Sequence, residues 1–138
     1  IGINVFAGND KATIVTDTGV ISDDILRRID DTTLLVLEAN YDPHMLRFGP
    51  YQSFLKQRVA SDEGHLSNEM AAQALLMMKR PDSMQAISAH RSENNNNSVL
   101  VTQTIGKMLV DGGVRIGPEM KLQHGQPNEI VSIQSVER

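Results

Sequence analysis

Four residues with metal-ligating or acid–base side chains, Asp17, Glu38, His65 and His90, stand where the chain changes direction. Asp17 follows a β-branched run, Glu38 closes an apolar run, and His90 closes a third run of strand character. His65 lies just ahead of the strongest helix signal in the chain. Carboxylate oxygen and imidazole nitrogen are the donors that divalent cations such as zinc take, and imidazole also moves protons near neutral pH. In open α/β sheets, ligands gather outside the carboxyl ends of the strands. Strand-end loops can therefore bring residues from distant parts of the chain to one rim. Each signal also has an ordinary reading. Asp before Gly is turn chemistry. A Glu at a strand end pairs with a cation or faces water. A His ahead of a helix is a polar residue near a cap, and the asparagines after His90 read as a solvated loop. What favours a site is that all four clusters occur in one chain.

The elements that must position these residues alternate between strand and helix. Residues 11–16 are β-branched and end at the Asp17-Thr18-Gly19 turn. Ser22 is an N-cap for a short helix to about residue 29, with Asp23 and Asp24 at the positive end of its dipole. Residues 33–37 read as a buried strand ending at Glu38. A loop with Pro43, Gly49 and Pro50 follows, then a helix over 51–60. The long helix over 68–78 is capped by Ser67 or Asn68, and Pro81 ends it. Residues 84–89 read as a strand leading to His90. Residues 99–109 read as a helix closed by Gly112 and Gly113. Two strand-like pieces, 120–123 and 130–133, flank a turn at 125–128. Met77 and Met78 are read as core, and His44 and His124 as surface residues. The order is that of an α/β fold, a sheet covered by helices.

Composition limits the functions. The 138 residues carry 13 Lys and Arg against 17 Asp and Glu, a formal charge of −4, so the chain lacks the basic field usual in nucleic-acid binders. Five aromatic residues are too few for a base-stacking platform. No stretch nears the roughly 18 apolar residues of a membrane span. With no Cys, disulfides, thiolate zinc sites and cysteine nucleophiles are excluded, and composition alone leaves the compartment open.

Taken in order, Thr16-Asp17-Thr18-Gly19, Leu37-Glu38-Ala39-Asn40-Tyr41-Asp42, Gly64-His65-Leu66-Ser67-Asn68 and Ser88-Ala89-His90-Arg91-Ser92-Glu93-Asn94-Asn95 resemble the C-terminal half of metallo-β-lactamase-fold hydrolases. The nearest subgroup is the YycJ/WalJ-type family, and Leu55-Lys56-Gln57-Arg58-Val59 matches its segment between the second and third motifs. The likeness covers about residues 12–110. A weaker one extends to ribonuclease Z. The fold class implied is α/β, as the C-terminal half of a metallo-β-lactamase αβ/βα sandwich. Residues 1–138 would form a single half-domain. The signature His-x-His-x-Asp-His motif does not occur in this chain and is expected in an N-terminal half.

By resemblance, Asp17 bridges two divalent ions, zinc or manganese, and His90 is a ligand to one of them. His65 and Glu38 stand beside the site and pass a proton to the leaving oxygen. Arg91, Asn94 and Ser67 are the substrate-binding candidates. Arg47, Lys56 and Arg58 are further candidate phosphate contacts, although singly each reads as a solvated charge. Two residues depart from the family pattern: Tyr41 stands at a usual His, and Arg91 replaces an apolar residue and puts a cation beside the site. Two side chains cannot complete a binuclear centre, so the chain alone is expected to bind metal weakly or not at all. The function implied is a cytoplasmic phosphodiesterase, a nuclease acting on DNA from a 5′ end. Its expected partners are the missing half or a second copy of the chain in a homodimer. Two other readings stand beside it. One is a non-catalytic module that buries an exposed sheet face by pairing. The other is a metallo-hydrolase of RNA or of a small amide or ester.

Overall fold

The β-branched run after Gly8 forms the second strand of a five-stranded sheet in the computed structural model, which describes residues 1–133. In chain order the elements are β1 (Gly2–Ala7), β2 (Asp10–Val15), α1 (Asp23–Ile29), β3 (Leu34–Glu38), α2 (Pro43–Phe48), α3 (Ser53–Val59), α4 (Asn68–Met77), β4 (Met84–Ala89), α5 (Ser98–Asp111) and β5 (Met120–His124). The strands lie in the order β1-β2-β3-β4-β5. β1 is antiparallel to β2 and the other pairs are parallel. Right-handed crossovers between successive parallel neighbours place their helices on one side of a sheet. The buried core follows that rule. Val15, Leu35, Leu37, Ala86 and Met120 pack with Ala71, Ala72 and Leu75 of α4 and Val101, Ile105 and Leu109 of α5. In α5 those residues recur every four positions, one face of a helix. This is the α/β class expected from sequence, a mixed sheet flanked by helices.

The alternate residues of the strands make the other face. The register aligns Ile3, Ile14, Val36 and Ile87 in one row and Val5, Ala12 and Leu34 in the next. Ile3, Val5 and Ile14 are 52%, 56% and 42% exposed, so this apolar face is open toward the β1 edge.

Four expectations need correction. Residues 43–48 are a helix, not loop, because Asp42 caps it through Met45 N (2.8 Å) and Pro43 occupies its first turn, where no N–H is needed. β1 is a strand that the sequence pattern does not announce, since its polar Asn4 and its glycine weaken the alternation; the hairpin with β2 supplies the ladder. Residues 130–133 form no strand. Met77 points out of the last turn of α4 and is 67% exposed, while Met78 is core as expected.

The turn after β2 is unusually close to the connection ahead of α4. Gly19 N donates to Asp62 O at 3.0 Å. A Cβ at Gly19 would lie 1.8 Å from Ser61 O, so only glycine allows the Asp17 turn to approach the segment that carries His65. Gly19→Ala is expected to cost about 1–3 kcal/mol in urea unfolding, because backbone and not a flexible side chain must move. An unchanged midpoint would show that the two segments do not need this contact.

Candidate metal centre

β3 ends by burying a carboxylate. Glu38 has no solvent exposure. Its Oε1 accepts from His65 Nδ1 and from His90 Nδ1, both at 2.7 Å, and its Oε2 accepts from Thr18 N at 3.3 Å. An ionised carboxylate only accepts, so both imidazoles carry hydrogen on Nδ1. That tautomer leaves the Nε2 lone pair of each ring for a ligand, the arrangement that orients metal-binding histidines. The two rings meet edge-on, with centroids 5.2 Å apart.

Asp17 completes the group. Its Oδ1 stands 3.8 Å from His90 Nδ1. Asp17, His65 and His90 each offer one donor atom, and these atoms lie within 4.8 Å of one another. On a single zinc ion, with bonds of about 2.0–2.1 Å, donors stand roughly 3–3.5 Å apart. Asp17 and His90 side chains are about half exposed and have room to close that gap. Two imidazoles and a carboxylate at this spacing could hold one ion, and are too few for two. Asp17 and His90 also share a backbone feature, φ of 56° and 53°, in the left-handed region. Such residues are held by their surroundings and cluster at functional sites.

Asparagines hold the loops in place. Asn40 Nδ2 donates to His90 O (2.7 Å) and Asn40 O accepts from Ser92 N (2.9 Å), which pins the His90 turn on both sides. Asn40 N donates to Leu66 O and Asn68 N to Tyr41 O, both at 2.9 Å, which ties the end of β3 to the His65 segment. Asn68 and Asn96 are buried and exchange amide hydrogen bonds of 3.0 and 2.8 Å, and Asn96 also donates to Ala39 O. Half of the asparagine run is thus interior scaffold, not solvated loop. Tyr41 is buried in this network, and burial, with the Glu69 charge second, raises its phenol pKa.

The substrate-binding candidates separate. Arg91 and exposed Asn94 line a cavity of about 320 Å³ together with His65 and His90. Ser67 does not line it. Its buried hydroxyl accepts from Met70 N at 3.1 Å and is used as the cap of α4. Lys56 Nζ donates to Arg47 O at the end of α2, and the Arg47 guanidinium lies over the Phe48 ring. Arg58 is exposed, and none of these three cations lines the cavity. His44 is at the surface, as read. His124 is half-buried, with Nδ1 2.6 Å from Ser88 Oγ, and burial first, then the Arg91 charge, lowers its pKa.

No family model matches the chain. Among curated proteins it is 33% identical over 128 residues to exodeoxyribonuclease YycJ of Bacillus anthracis, covering 93% of this chain and 48% of that protein. It is also 33% identical over 124 residues to exodeoxyribonuclease WalJ of two Streptococcus pneumoniae strains, covering 89% of this chain and 46% of theirs. The chain is a homologue of the YycJ/WalJ-type proteins, which have the metallo-β-lactamase fold. It spans about half the length of these relatives. Among the described residues no helix is long and apolar enough to cross a membrane.

Two outcomes follow from this geometry. Glu38→Gln puts an NH₂ group against an Nδ1–H or against the Thr18 N–H. It is expected to cost about 1–3 kcal/mol in chemical denaturation and to weaken zinc binding by about 10–100-fold. Unchanged stability and zinc affinity would contradict the hub role. For His124, the unfolded chain takes up a proton below about pH 6.5 that the folded chain refuses. Stability should therefore fall as pH drops from 6.5 toward the lower folded pKa, and be insensitive to this group above 6.5. His124→Gln should flatten that part of the stability–pH curve, and an unaltered slope would speak against it.

Proposed function

We propose that this chain is the second half of a metal-dependent phosphodiesterase, a nuclease that cuts DNA from a 5′ end. The observation that carries this reading is the convergence of Asp17, His65 and His90, from three separate connections, around one buried carboxylate. The names of the homologues, exodeoxyribonucleases, supply the substrate class.

In this reading Asp17 and His90 hold divalent ions, zinc or manganese, and the remaining ligands of a two-ion centre come from a His-x-His-x-Asp-His segment not found in these 138 residues. Bound cations would supply Lewis-acid charge and a more acidic water, and would offset the acidic balance of the chain at the substrate phosphate. His65 carries the proton for the leaving oxygen. Glu38, having no solvent exposure, acts through the imidazoles and is a positioning residue. The open apolar face around Ile3, Val5 and Ile14 is the surface a complementing half would cover. A second reading rests on the same face: a symmetric dimer of this chain, with no catalysis, also buries it.

Calorimetric titration of the purified chain with zinc and manganese is expected to show weak or substoichiometric binding. Co-expression with a segment carrying the His-x-His-x-Asp-His motif is expected to give tight binding and DNA hydrolysis, both lost in Asp17→Ala. Tight, stoichiometric binding by the chain alone would overturn the missing-ligand account. A complemented protein that binds metal and leaves DNA intact would overturn the nuclease assignment. Sedimentation of the chain alone separates the dimer from a monomer.

A further inference from the structure

Among the described residues, Arg91 is a half-buried cation without a counter-ion. None of the ion pairs among the described residues includes it. Glu93, which lines the same cavity, forms no ion pair among them either. One arm of the guanidinium is fixed, Nη2 donating to Gln126 Oε1 at 3.0 Å. A neutral amide orients the group and leaves its charge uncompensated. Nε is buried and has no hydrogen-bond partner among the described residues. Desolvating a guanidinium N–H without giving it an acceptor is unfavourable. The uncompensated charge is felt by His124, whose pKa it helps to lower.

The position of this cation decides what it is suited to. It directly follows His90 and lines the cavity of about 320 Å³ that His65 and His90 also line. The space is open to solvent-borne ligands and holds further polar groups, Asn40, Tyr51 and Asn94 among them. A guanidinium in such a place matches phosphate oxygens in charge and in planar donor geometry. We propose that Arg91 forms an anion subsite that takes a phosphate group of the substrate adjoining the one at the metal-binding residues. The proposal rests on the phosphodiesterase reading and adds to it the group that recognises the neighbouring nucleotide.

The test uses the whole chain, labelled with ¹⁵N and kept in chelator so that no metal or turnover contributes. It is titrated with a 5′-phosphorylated thymidine dinucleotide, and with thymidine as the phosphate-free control. The Arg91 Nε–Hε resonance is expected to shift with the dinucleotide and not with thymidine. Arg91→Gln is expected to weaken binding about tenfold, the effect of losing one charge-assisted hydrogen bond. Arg91→Lys, which keeps the charge and loses the fork, should fall between. Equal binding by Arg91→Gln, or an Arg91 resonance that stays still, overturns the proposal. So does an absence of binding at millimolar dinucleotide. DNA cleavage by the complemented protein is a separate readout. If cleavage fails while the dinucleotide still shifts Arg91, the nuclease reading falls and the anion subsite stands.

Discussion

A carboxylate with no access to water is tolerated only if its charge is met by hydrogen-bond donors. For Glu38 the donors are His65 Nδ1, His90 Nδ1 and Thr18 N, and they come from three different connections of the fold. Folding must therefore bring the turn after β2, the segment ahead of α4 and the turn after β4 to the end of β3. Those are the segments that carry Asp17, His65 and His90. The requirement that stabilises the protein also assembles its donor set. This links burial to function more tightly than a set of surface ligands would.

The rest of the carboxyl rim serves this hub. Asp17 and His90 sit in the left-handed backbone region, at a cost of order 1–3 kcal/mol each. Asn40 holds the His90 turn from both sides. Gly19 lets the Asp17 turn approach Ser61 and Asp62. The Asn68–Asn96 amide pair closes the network beneath, where both residues are buried and mutually satisfied. Pre-organisation of this kind keeps the imidazole orientation fixed before any ligand arrives.

Much of this was legible in the sequence, and the exceptions have physical causes. Hydrophobic runs and caps placed β2, β3, β4, α1, α4 and α5 within a residue or two, because each has an uninterrupted apolar face or a Ser or Asn cap. Asp17, Glu38, His65 and His90 stood out because they follow such runs. Their mutual distances did not, since register and loop path decide those. Helix α2 was hidden because Asp42-Pro43 serves equally as a turn and as a cap with proline in the first turn. The burial of Asn96 was hidden because asparagine is ordinarily exposed, and only the fold reveals its hydrogen-bond partners 28 and 57 positions away. His124 looked like a surface residue for the same reason. Its neighbour Ser88 lies in another strand.

The central claim is that Glu38 holds both imidazoles as Nδ1–H donors and so leaves the Nε2 atom of each ring free of the hub, that of His90 on the side of the cation-binding Asp17. Long-range ¹H–¹⁵N correlation spectra of the His65 and His90 rings, taken without metal and then with zinc, test it directly. The account predicts the Nδ1–H tautomer for both rings before zinc, and a shift of the His90 Nε2 resonance on zinc addition that disappears in Asp17→Ala. An Nε2–H tautomer at either ring, or a His90 ring that zinc leaves unmoved, would contradict it.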